Sequence, residues 1–421
     1  MKSSIICLGL WLAMSTVSWA QTTLSLEECY RQAEQHNPQA GQRRLIQEAT
    51  DLQIKLLNRG YMPQSRLNGQ ATWQSEVTSV PIKLPNFEIT PPPKDQYKLT
   101  LDVTQSIWDG GLTQKQKSIA LANQQVEQQK VTVDLFQIRE QVSGLFFSAL
   151  FSQRQLRNFE ILQKELLAKL EKTKASVQNG IAIRANVLAL EARLLEVEQQ
   201  LLETQKRQAA ALEGLSLLTG QTVDTKTTFA TDPQTTNSLD VTRPELQLFE
   251  TQKQVLTQNE RLIRAKNLPK LSAFATAGYG RPGLNFLATN FQTYFIGGIQ
   301  LQIPLTHWYT NTQGIETQQL RVNQQRIDKQ RESFLLGTQV KVANQRQEIS
   351  RLEALVASDQ KLIELRGTIR KASESQLDNG IITASDYLTE VDNEDMARQN
   401  LILHETQLLQ AQNNLKLLLG H

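Results

Sequence analysis

The residues able to do solution chemistry are few and scattered. The 421-residue chain holds four histidines, two cysteines and four methionines. His307 stands in Pro304-Leu305-Thr306-His307-Trp308 without further ligand-type residues beside it, and His404 falls on the apolar stripe of the last helical run. A lone histidine of this kind reads as a polar interface residue, and His404 as a hydrogen-bonded packing residue. Cys29 is the one cysteine left if Cys7 is removed with a leader, so it forms neither an intrachain disulfide nor a zinc cluster. Leu26-Glu27-Glu28 before Cys29 is no lipid-attachment motif. Only Met62 and Met396 lie beyond the leader, which disfavours a methionine-rich metal relay. No nucleophile elbow, phosphate-cradling glycine loop or cluster of metal ligands occurs. The chain reads as no enzyme, with no cofactor and no metal site.

Residues 1–20 have the pattern of a secretory signal peptide: Lys2, an apolar run from Ile5 to Val17, and Ser18-Trp19-Ala20 as a small-x-small cleavage site. That run is too short to cross a bilayer as a helix. The formal charge is +3, falling to +2 without Lys2, which argues against nucleic acid as a partner. No other stretch has the apolar length of a membrane helix, so a membrane role would have to use strands.

The elements that would position any site form a plan that occurs twice, which marks a duplicated structural unit. Asn37-Pro38 and Arg243-Pro244 each open a helical run, and Met62-Pro63 and Leu268-Pro269 close it. Ser25 reads as a helix cap followed by an acidic first turn. Two alternating segments follow each helix. Tyr97, Leu99, Leu101 and Val103 alternate with Lys98, Thr100, Asp102 and Thr104, a period of two that predicts a strand with one apolar face. Leu271, Ala273, Ala275, Ala277 and Tyr279 predict another, and Phe295, Gly297, Ile299, Leu301 and Ile303 a third. The proline-rich stretch 80–95 reads as a long loop.

After Trp108-Asp109-Gly110-Gly111 a helix of about 67 residues is expected, roughly 100 Å long. Leu135, Ile138, Val142, Leu145, Ala149, Leu156, Phe159, Leu166 and Leu170 form a heptad seam along it. Asn179-Gly180-Ile181 and Asn379-Gly380-Ile381, 200 residues apart, each turn such a helix back as a hairpin. The boundaries expected are a leader 1–20, a first repeat 21–220 with strand pair 65–107 and hairpin 112–219, a linker 221–240, and a second repeat 241–421 with strand pair 271–305 and hairpin 309–419.

Four strands of this length suit tilted membrane crossings, yet four cannot close a barrel and lipid tolerates no open edge. Several chains would have to share one barrel. Trp73, Trp108 and Trp308 would then stand where an aromatic girdle belongs. The competing reading is a periplasmic structural or adaptor coiled-coil protein without a pore. The two strand pairs weigh against it, and membrane fractionation separates the two.

Taken together, Leu24-Ser25-Leu26-Glu27-Glu28 with Asn37-Pro38, the strand exit Gln105-Ser106-Ile107-Trp108-Asp109-Gly110-Gly111, Arg243-Pro244-Glu245-Leu246, Leu268-Pro269-Lys270-Leu271 and the two Asn-Gly-Ile turns resemble the TolC family of outer-membrane efflux proteins over essentially the whole mature chain. The resemblance implies a mainly α fold with a membrane β-barrel. Duplicated long hairpins would form a trimeric α-barrel through the periplasm, and four strands per chain would build a shared 12-stranded barrel in the outer membrane. It implies a homotrimer in outer-membrane lipid, docked to a periplasmic adaptor (membrane fusion) protein and an inner-membrane pump of RND or ABC type, as a passive duct for efflux or type I secretion. The tips Asn179, Gly180, Ile181, Asn379, Gly380 and Ile381 would dock the adaptor. Asp386 would supply an acidic ring at the lumen aperture, thinned because Thr389 and Asn186 occupy the other family positions. The second strand exit departs from the family's aromatic-Asp-Gly-Gly.

Overall fold

The structure is a computed structural model describing residues 23–78, 91–230 and 240–421. The leader expected at 1–20, most of the expected loop and residues 231–239 of the expected linker lie outside those residues, while the short strand Thr228–Ala230 falls inside the stretch read as linker. The order is β1 (Thr23–Ser25), α1 (Leu26–His36), a 3₁₀ turn (Pro38–Gly41), α2 (Gln42–Arg59), β2 (Gln64–Trp73), β3 (Asp95–Trp108), α3 (Leu112–Gln178), α4 (Arg184–Thr219), β4 (Thr228–Ala230), α5 (Pro244–Lys266), β5 (Lys270–Arg281), β6 (Gln292–Gln302), α6 (Thr306–Thr310), α7 (Thr312–Asp378) and α8 (Ala384–Leu419). No described helix is long and apolar enough to cross a membrane.

Local chemistry sets the boundaries. Ser25 Oγ accepts from Glu28 N at 3.3 Å and starts α1. Pro38 then diverts the chain into the 3₁₀ turn, which separates α1 from α2. Pro244 occupies the start of α5, where its missing N–H costs nothing. Asp109 takes N–H bonds from Gly111 (2.9 Å) and Thr113 (2.8 Å) and so starts α3. Burial opposes that charge, but the bonds from Thr113, Tyr61 and Gly111 outweigh it and hold the Asp109 carboxyl below its ordinary range.

The chain forms two compact units. One contains residues 1–37, 137–239 and 344–417. In it β1 and β4 pair in parallel, Thr23 opposite Thr228. Its core is built on the predicted seam of α3: Val142, Ala149, Phe159, Leu166 and Leu170 are buried, as are Leu190, Val197 and Leu201 of α4.

The other unit contains residues 38–136, 240–343 and 418–421 and carries a four-stranded antiparallel sheet ordered β2-β3-β5-β6. Leu67, Leu101, Ala277 and Phe295 lie in one cross-strand row. The alternation puts Leu67, Leu99, Leu101, Val103, Ala275, Ala277, Phe295 and Ile299 on one face and Asn68, Thr100, Asp102, Thr276 and Gln300 on the other. The apolar face is open: Leu67 is 70 % and Ile299 71 % exposed, so it is not the inside of this chain's core. Among the described residues β2 and β6 each pair on one side only. Among the described residues the sheet is therefore open.

Candidate functional site

Each hairpin tip is a helix end, a glycine and a new helix start. Gly180 has φ +73° and Gly380 φ +71°, the left-handed region that lets a helix C-terminus double back. Ile181 N donates to Ser176 O and Ile381 N to Gln376 O, both at 2.9 Å, while Gly180 N and Gly380 N donate to Val177 O and Leu377 O. The two turns are copies of one motif. Beyond them Ile181 and Ile381 are 72 % and 70 % exposed, apolar side chains that the chain itself does not cover.

The starts of α4 and α8 have diverged. Thr383 and Asp386 cap α8 reciprocally: Asp386 N donates to Thr383 Oγ1 (3.2 Å), and Thr383 N donates to Asp386 Oδ2 (3.0 Å). The Thr383 hydroxyl also donates to Asp386 Oδ2 at 2.7 Å. These bonds hold the Asp386 carboxyl below its ordinary range, so it is charged at neutral pH. Ile183 stands at the equivalent cap position of α4 and makes no such bond. Asn186, the counterpart of Asp386, turns its Oδ1 to Ala384 N of α8 at 3.2 Å. The first hairpin thus helps to cap the second. Thr389 spends its hydroxyl on Ser385 O of its own helix (3.0 Å).

Behind the tips the hairpins are tied by charge. Lys169 of α3 is 5 % exposed, and its Nζ reaches Asp378 Oδ1 (2.7 Å) and Glu374 Oε1 (3.4 Å) of α7. The amine also lies 5.1 Å from the centre of the Tyr387 ring. Lys172 holds the other Asp378 oxygen at 2.6 Å. Burial raises the Asp378 pKa, but the two lysines outweigh it and lower it overall. Farther along, Arg193 of α4 donates to Asp392 (2.7 Å) and Asn158 of α3 to Asp395 (2.8 Å). Arg370 and Arg398 both meet Glu394. Apolar packing fills the spaces between, with Phe159, Leu162, Leu166, Leu190, Tyr387 and Val391 in one cluster.

The structure brings together the expected tip and aperture residues, but not the tryptophans. Trp73 ends β2 opposite Asp95, and Trp108 ends β3 opposite Leu271, at the other end of the sheet. Trp308 is not on a strand: Pro304 follows the end of β6, and Trp308 falls in α6. His404 Nδ1 lies 2.6 Å from Asp359 Oδ2. His307 Nδ1 is buried without a hydrogen-bond partner among the described residues, its ring edge-on to Trp308. Burial pushes the Cys29 thiol up to about 12, which leaves it unreactive. The sequence reading missed Lys169, Asp378 and Glu394. Two signals were present: a lysine within the seam between Leu166 and Leu170, and four acids in the six residues from Glu390 to Asp395.

The sequence model of a family described as "Outer membrane efflux protein" matches residues 29–221 and 236–421. No curated protein sequence matches the chain. Among solved structures, CusC, described for transmembrane channel formation, aligns over 94 % of this chain and 92 % of its own, with a TM-score of 0.65 at 15 % identity. The outer membrane protein VceC from Vibrio cholerae aligns over 94 % of both chains, with a TM-score of 0.62 at 16 % identity. The outer membrane channel CmeC from Campylobacter jejuni aligns over 100 % of this chain and 93 % of its own, with a TM-score of 0.61 at 12 % identity. At such identities the likeness is one of fold.

Proposed function

Because the chain belongs to the outer membrane efflux protein family, and is an outer-membrane channel extending into the periplasm, we propose that it is the passive exit duct of a tripartite export system. Three copies close one 12-stranded barrel, and the tips dock a periplasmic adaptor that recruits an inner-membrane pump of RND or ABC type. The organisation behind this is a removed leader 1–20 and two repeats, 21–220 and 241–421, about a linker 221–240.

The observation that carries this reading is the sheet. It exposes an apolar face, leaves both edges unpaired among the described residues, and has strands of 10 to 14 residues, long enough to cross a bilayer at a tilt. An open edge in lipid costs several kcal/mol per unsatisfied backbone group, so further copies must pair with it. A periplasmic coiled-coil protein would have no use for such a face. Docking is supported by Ile181 and Ile381, exposed beside rigid Asn-Gly turns.

A photo-reactive residue placed at Ile181 or Ile381 in cells tests the docking. The expected adduct is an adaptor protein, identified by mass. A trimer that reaches the outer membrane and gives no adduct at either tip sinks the docking mechanism.

Asp386 supplies a second test. Three such carboxylates about one aperture would favour cations. D386N keeps an oxygen able to cap α8, so the helix start survives while the charge is lost. Cation selectivity should fall, and an unchanged reversal potential in a salt gradient would reject the ring.

A further inference from the structure

The polar face of the sheet carries a cationic excess. The strand residues on it include Arg66, Lys98 and Lys270 against one acid, Asp102. Asp102 keeps its charge but is held against the sheet by neutral donors. Its Oδ2 accepts from Asn68 Nδ2 (2.6 Å) and Thr100 Oγ1 (3.1 Å), and its Oδ1 from Thr276 Oγ1 (2.6 Å). Arg66 and Lys98 are exposed, and neither is in an ion pair within the described residues. On the other face the charged strand residues are Asp95 and Arg281, which pair with each other.

Aromatic rings lie beside these cations. Lys98 is opposite Gly280, a residue with no side chain to screen it. The Tyr294 ring covers Gly278 so closely that it leaves no room for a Cβ there, and the Cε1–Cζ edge of Phe274 stands 3.1–3.2 Å from the corresponding position of Gly298. The Tyr294 ring therefore lies along the sheet, and Phe274 stands beside Gly298 on the same face. Lys98 Nζ stands 5.9 Å from the centre of the Tyr294 ring.

We propose that this face is a permeation surface selective for organic anions, with Arg66 and Lys98 attracting the charge and Tyr294 and Phe274 meeting the apolar part of the solute. The inference rests on the shared barrel proposed above. There the apolar face meets lipid and the polar face lines the lumen. Three chains would bring the two exposed cations together as six, and a low-dielectric wall focuses their field on the passing ion.

The test uses the full chain in planar bilayers and two probes with the same ring and opposite charge, benzoate and benzylammonium. Their relative permeabilities are read from reversal potentials at about 10 mM salt, where the Debye length is about 30 Å. R66Q/K98Q should lower the benzoate-to-benzylammonium ratio by about twofold or more. That shift should fade at about 1 M salt, where screening acts within about 3 Å. R66Q and K98Q alone should each give part of it, so a folding defect in the double variant would not hide the result. An unchanged ratio in conducting variants overturns the inference and leaves the duct standing. A wild-type chain that conducts neither probe overturns the duct, and the inference with it.

Discussion

Replacing Glu394 by alanine is expected to destabilise the α7–α8 hairpin by about 3–5 kcal/mol. The Glu394 side chain is 4 % exposed and accepts from Arg370 and Arg398. Arg370 is itself only 16 % exposed. Burial disfavours its charge, yet Glu394 and Glu165 more than compensate and raise its pKa. Removing the carboxylate would leave a half-buried guanidinium with only more distant acids, Glu165 at 3.6 Å and Glu374 at 3.9 Å. The weaker pairing left to a mostly buried guanidinium makes the cost larger than that of a surface pair. R398A is the control. That side chain is 49 % exposed and one turn from Glu394, so its loss should cost about 1 kcal/mol or less. Amide hydrogen exchange over residues 344–417 reads both. Equal protection in E394A and wild type would show that the buried acid is dispensable. A loss in R398A as large as in E394A would place the stabilisation elsewhere.

Gly110→Val should be the most damaging change at the exit of the sheet. Gly110 has φ +72°, and a Cβ on it would stand 2.8 Å from Leu268 Cβ, 3.2 Å from Pro269 O and 3.3 Å from Ala265 O. Two of those neighbours are backbone and cannot rotate away. The left-handed conformation alone costs a residue with a Cβ about 1–2 kcal/mol, more if it is β-branched. With the clash added, G110V should cost about 3 kcal/mol or more. Gly111 has φ +78° but open space around its Cβ position, so G111A should cost only the conformational part. The expected readout is loss of folded protein in G110V and its retention, with a lower thermal midpoint, in G111A. Equal behaviour of the two would mean that packing against the end of α5 contributes nothing.

Element types and their apolar faces could be read from the residues alone. Period-two alternation from Tyr97 to Thr104 fixed which residues of β3 share an apolar face, because strand side chains alternate whatever lies opposite. Pro244 and Pro269 and the glycines at 180 and 380 marked breaks, since φ limits and a missing N–H act within a residue or two. The family was legible as well, from the order and spacing of short motifs, and its model matches residues 29–221 and 236–421. Trp308 misled: its spacing suggested a strand end, but Pro304 and the left-handed Asn311 (φ +50°) shape a short helix there instead.

Only the tertiary structure decided who meets whom. β3 pairs with β5, Leu101 opposite Ala277, and that pairing joins the two copies of the repeat in one sheet. Lys169 finds Asp378, 209 residues away, and Asn186 caps α8 from 198 residues away. A heptad seam says that a helix has a partner, but the same seam fits any of several neighbours, so it cannot say which one. The charged residues add the discrimination, since a buried lysine is stable only against an acid at the right height on the right helix. That height is set by packing along helices of 67 residues, and no local pattern records it.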